Sequence, residues 1–86
     1  MINVTVKNDD VRDLFVTVVD ANVAVDPVVL NGTRFNRGDA RVIAIQEDGD
    51  GRGHVRWQVN IADEPATIKT GDEGRLNDGD TVSVSS

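Results

Sequence analysis

The sequence predicts an all-β fold: a small antiparallel β-sandwich of six or seven short strands, with a small, partly open β-barrel as the alternative. Three observations predict it. His54 to Ile61 alternates without a fault, with Val55, Trp57, Val59 and Ile61 on one face and His54, Arg56, Gln58 and Asn60 on the other. That period belongs to a strand with one buried and one wet face. Short apolar runs recur along the chain between clusters of Gly, Asn and Asp, a spacing typical of sandwiches and barrels. No segment holds apolar residues at helical spacing for long. Val11 to Val19 comes nearest, and its β-branched content opposes a helix.

Each element follows in order. Ile2 to Lys7 is a strand with Ile2, Val4 and Val6 inward, and residues 8–13 are a polar turn. Leu14 to Val19 is apolar on both faces, as suits a strand inside a sheet. Asp26 and Pro27 mark a break, and a strand begins after Pro27, which has no amide hydrogen to donate. Val28 to Phe35 contains Asn31 and Gly32, a strong hairpin-turn dipeptide. One bulged strand is preferred over two very short arms that gain little pairing. Residues 36–39 form a turn, so the Arg37, Gly38, Asp39 tripeptide is read as turn chemistry. Ala40 to Gln46 and His54 to Ile61 flank a loop of glycine and charge, the mark of a hairpin. In that hairpin Ile45 faces Val55 and Ile43 faces Trp57, with Trp57 as a core anchor. Ala66 to Lys69 is a short strand, Thr70 to Asp80 a loop anchored by Leu76, and Thr81 to Ser85 the last strand.

Eighty-six residues make one domain, 1–86. The chain has no cysteine, so neither disulfides nor thiolate metal sites are available. A net charge of −6 disfavours nucleic acid and anionic membranes. No apolar stretch approaches a membrane span. No leader is visible, so the cytoplasm is the default location; a mature exported chain or one using a leaderless route would look the same.

With no Cys, no Tyr and one His, the parts for nucleophilic or imidazole catalysis are missing, and the chain is expected not to be an enzyme. The fifteen carboxylates are assigned to turns and loops, where Asp is favoured. If successive strands reverse, alternate loops collect at one end of the sandwich and bring many carboxylates together. Calcium takes six to eight oxygen ligands, so the alternative function is a calcium-binding sandwich using Asp48, Asp50, Asp72 and Asp78. The segment Asp48 to Gly53 resembles the opening of an EF-hand loop, but Arg52 occupies a ligand position and Val59 stands where the bidentate Glu belongs.

The principal expectation is a small acidic, non-enzymatic binding module. Its candidate surface is the wet stripe of His54, Arg56, Gln58 and Asn60, with Gln46 and Arg41 nearby, and its partner a protein or a carbohydrate. A cationic stripe on an acidic molecule orients an encounter. The exposed sheet edges are a second docking route, through strand addition. A monomer or weak dimer is expected, with no cofactor unless calcium. The overall pattern resembles that of small bacterial all-β proteins. Leu76 to Val84, LNDGDTVSV, resembles a turn-and-strand phrase of forkhead-associated and ubiquitin-like domains. The serine, arginine and histidine of a phosphopeptide site have no counterparts on the rest of the chain. No functional residue is carried over.

Overall fold

Most of the strands form where apolar alternation is strongest. The computed structural model describes residues 1–86 and contains seven: β1 (Ile2–Asn8), β2 (Leu14–Asp20), β3 (Val28–Phe35), β4 (Ala40–Ile45), β5 (Gly53–Ile61), β6 (Glu64–Leu76) and β7 (Thr81–Val84). They make two sheets, one of three strands in the order β4-β1-β7 and one of four in the order β3-β2-β5-β6. The β-sandwich expected from the sequence is the fold observed.

The inner faces hold one core of sixteen side chains. Ile2, Val4, Val6, Ile43, Ile45, Val82 and Val84 come from the first sheet, and Leu14, Val16, Val18, Leu30, Phe35, Val55, Val59, Ile61 and Leu76 from the second. Each such burial is worth about 1.5–3 kcal/mol. β2 lies inside its sheet between β3 and β5, as its apolar character on both faces required. β3 is a single strand with register shifts against β2, and Gly32 takes a φ of 55° there. Residues 36–39 are a turn, closed by the Asp39 amide on the Asn36 carbonyl, with Gly38 at a φ of 81°.

Four expectations are corrected. First, β4 and β5 are not a hairpin. β4 pairs with β1, while β5 pairs with β2 and β6, so residues 46–52 cross between the sheets. Side chains from the far end of β2 hold that crossing. Buried Asp20 accepts the Gln46 amide at 2.7 Å, and Asn22 donates to the carbonyls of Gln46 and Arg52, each at 3.0 Å. Second, one strand pair is parallel: β7 runs beside β1 in the same direction. Six reversals separate the two, so they enter the sandwich from the same end.

Third, the short strand at 66–69 and the loop after it are one strand, β6, thirteen residues long. It pairs along β5 from Ile61 to Gly53, with a register shift near each end. Glu64, Asp72 and Glu73 are therefore strand residues, as is Asp20 at the end of β2, contrary to the placement of all carboxylates in loops. Fourth, Trp57 is half-buried at the core margin. It keeps the inward parity of Val55 and Val59, but its ring lies over Gly71 of β6. The other sheet has only three strands and leaves β6 uncovered.

Asn8 closes β1 and is buried, although its sequence neighbours suggested a turn. Its amide nitrogen donates to the carbonyls of Arg12, Phe35 and Asn36 at 2.9, 3.1 and 3.3 Å. It thereby fastens the β1–β2 and β3–β4 connections to each other.

Candidate binding face

Residues directly opposite in an antiparallel ladder share a face. Registers therefore assemble the outer face of the four-stranded sheet row by row. One row runs Arg34, Phe15, Asn60, Ile68. The next runs Thr17, Gln58, Thr70, and a third Val28, Val19, Arg56, Asp72. His54 follows Arg56 on the same face. The four stripe residues are thus brought together, on central strand β5.

A shallow open depression of about 640 Å³ lies across the middle rows. Thr17, Val19, Arg56, Gln58, Thr70 and Asp72 line it, with Trp57 and Gly71 between them in β5 and β6. Val28 and Ile68, each 55% exposed, add apolar surface at the margins of the face. Phe15, within the run that is apolar on both faces, faces outward here, half-buried, with the Arg34 guanidinium 5.8 Å from its ring centroid. Thr17, Val19 and Thr70 were absent from the sequence-derived site. The signal for Thr17 and Val19 was that β2 is apolar on both faces and must sit beside another strand; Thr70, read as the start of a loop, carried none.

The stripe is not a free cationic patch. Arg56 sits 3.6 Å from both Asp26 and Asp72, and the His54 ring contacts Asp72. Arg56 and Asp72 are more than half exposed, so these pairs contribute little stability. They do balance the local charge. Asp72 reaches this face because β6 is long enough to place it opposite Arg56. Gln58 donates to Asn60 at 3.4 Å, and Asn60 to the Pro65 carbonyl at 2.8 Å. Gln46 and Arg41 lie elsewhere. Gln46 belongs to the inter-sheet crossing, and Arg41 in β4 has its guanidinium 5.9 Å from the Phe35 centroid.

Alternate loops do gather at one end. Asn22 joins the connection at 21–27 to that at 46–52, and the connection at 77–80 bonds the start of β1 at the same end through the Gly79 amide on the Asn3 carbonyl. Yet Asp48, Asp50, Asp72 and Asp78 do not converge, and no group of three or more His, Asp or Glu is arranged to hold a metal. Asp48 accepts the amides of Asp50 and Arg52 at 2.8 and 3.0 Å. Those amides, Arg52 first, hold its carboxyl below the ordinary carboxylate range, and the Arg52 charge adds to the effect. Asp48 and Asp50 share a small hollow with Arg52 and Arg75, two cations where a metal site needs ligands. Asp78 accepts the Asn3 amide at 2.8 Å. Asp72 is engaged on the sheet face. These carboxylates serve turns, amides and arginines.

No protein-family model, curated protein or solved structure matches the chain. Its class is therefore set by architecture: a two-sheet β-sandwich carrying a polar, charge-balanced outer face on its larger sheet.

Proposed function

We propose that the protein is a non-enzymatic binding module that docks a partner protein on the outer face of the four-stranded sheet. The depression across β2, β5 and β6 carries this reading. It combines an apolar floor at Val19 with hydroxyl and amide groups from Thr17, Gln58 and Thr70. Protein interfaces mix apolar contact with scattered hydrogen bonds in this manner. Charge balance at Arg56 and Asp72 favours hydrogen-bonded recognition over electrostatic capture. A protein is favoured over a carbohydrate because no outward-facing aromatic ring lines the depression. Phe15 lies outside it with the Arg34 guanidinium 5.8 Å from its ring centroid, and the Trp57 ring packs over Gly71 on the opposite side of the sheet.

The test compares two arginine substitutions on opposite outer faces. Gln58→Arg fills the depression, while Ser83→Arg marks the outer side of the three-stranded sheet. A partner captured by the wild type and identified by mass spectrometry is titrated against both. Gln58→Arg is expected to weaken binding at least about tenfold, the loss of one well-placed contact region. Ser83→Arg is expected to leave it unchanged. Equal affinity for both variants overturns the assignment of the face.

A further inference from the structure

The longest strand of the protein has one side without a partner. β6 ends its sheet, and every residue of Glu64–Leu76 except Gly71 and Leu76 is exposed. Such an edge is a template for another strand. Hydrogen bonds at the two ends of β5 show which groups it offers. The Ala21 amide donates to the His54 carbonyl at 2.9 Å, and the Ala62 amide to the Asp13 carbonyl at 3.0 Å. Both couples continue the β2–β5 register. Bonded and non-bonded couples alternate in an antiparallel ladder. Even-numbered residues of β5 therefore turn their backbone groups toward β2. Val55, Trp57 and Val59 turn theirs toward Glu73, Gly71 and Lys69 of β6. The N–H and C=O groups of Ile68, Thr70 and Asp72 are left for the free edge.

A second copy of β6, related by a two-fold axis, offers the same groups in reverse order. Outward-facing residues must meet outward-facing residues, which restricts the registers. Centring on Lys69 opposes two ammonium groups, and centring on Asp72 opposes two carboxylates. Centring on Thr70 pairs no charges at all. Centring on Gly71 places Thr70 opposite Asp72 and Lys69 opposite Glu73, twice by symmetry. Opposite charges across strands attract and like charges repel, so within the regularly paired stretch 68–73 the charge pattern singles out the Gly71 register. The same register brings the two Gly71 residues together at the axis, each beneath a half-buried Trp57 ring. We propose that the protein self-associates through β6 in this register, joining two four-stranded sheets into one antiparallel sheet. An edge contact of this kind is small, so the dimer is weak and concentration-dependent.

The experiment is sedimentation equilibrium across a concentration series, with hydrogen exchange and Trp57 fluorescence on the same samples. The wild type is expected to dimerise as concentration rises. The amides of Ile68, Thr70 and Asp72 gain protection in step, and Trp57 emission shifts to the blue. Lys69→Glu turns two attractive pairs repulsive and is expected to weaken association about tenfold. Lys69→Glu combined with Glu73→Lys is expected to restore it. A wild type still monomeric at about 1 mM, or a double variant as weak as the single one, overturns the proposal. Both positions are exposed on an edge, and unchanged melting at low concentration confirms that the variants fold. Lys69 and Glu73 lie off the docking face, so loss of dimer and loss of partner are separable results.

Discussion

Asp10 shows how a single side chain ties distant parts of this chain together. Its Oδ2 accepts the Ser86 hydroxyl at 2.6 Å and the Ser86 amide at 2.8 Å, while Oδ1 accepts the Arg12 amide at 3.0 Å and Nε at 3.2 Å. Only 6% of the side chain is exposed. The Ser86 hydroxyl and then its amide, with Arg12 assisting, hold the carboxyl well below the ordinary carboxylate range against the opposing cost of desolvation. Because folding lowers this pKa, the stabilisation is complete above the unfolded value, about 3.9, and drains away as pH falls below it. Urea melts are therefore expected to show wild-type stability falling from about pH 5 toward pH 2. Asp10→Asn is expected to be less stable at neutral pH and flatter across that window. A constant gap between the two at every pH contradicts the assignment. None of this was legible in the sequence, where residues 8–13 read as a polar turn. Asn8 and Asp10 find their partners through contacts that exist only after the chain has closed.

The pairing of β5 with β6 depends on a fit between Trp57 and Gly71. A Cβ at Gly71 would clash with Cε2, Cζ2 and Nε1 of the indole ring. A glycine in an edge strand is weak alone, and an aromatic ring laid across it restores packing. Gly71→Ala is expected to displace Trp57 and lower stability by about 1–3 kcal/mol, the usual cost of overpacking. Chemical denaturation and the Trp57 emission maximum measure both effects. Gly74 is the internal control, since its nearest neighbour for a Cβ is the His54 ring at 3.9 Å. The sequence placed Trp57 on the correct side of β5 by alternation alone. It did not place Gly71 beneath it, because the glycines and charges of 70–75 carry the signature of a loop. Pairing with a long, regular β5 overrides that local preference.

The whole molecule is a flattened body, 40 × 24 × 15 Å, with a net charge of −6. Self-repulsion across such a body is screened as the Debye length shrinks from about 30 Å at 0.01 M to about 8 Å at 0.15 M salt. Sodium chloride is therefore expected to raise the melting temperature. Calcium chloride at equal ionic strength is expected to raise it by the same amount, because Asp48, Asp50, Asp72 and Asp78 are spread over separate tasks. An extra rise with calcium at about 1 mM, within the range of weak extracellular sites, restores the alternative of a calcium-binding sandwich.

Alternation along the chain was enough to settle the strand class, the inward residues of β1 and β5 and the four side chains of the wet stripe on β5. The physical reason is that a pleated backbone sends successive side chains to opposite faces wherever the strand is placed. Neighbours across the sheet were another matter. That β4 joins β1, that β7 runs parallel to β1, and that Thr17, Val19, Thr70 and Asp72 complete the face around Arg56 and Gln58 are outcomes of closing two sheets over one core. Such contacts link residues far apart in the chain, and local propensity does not encode them.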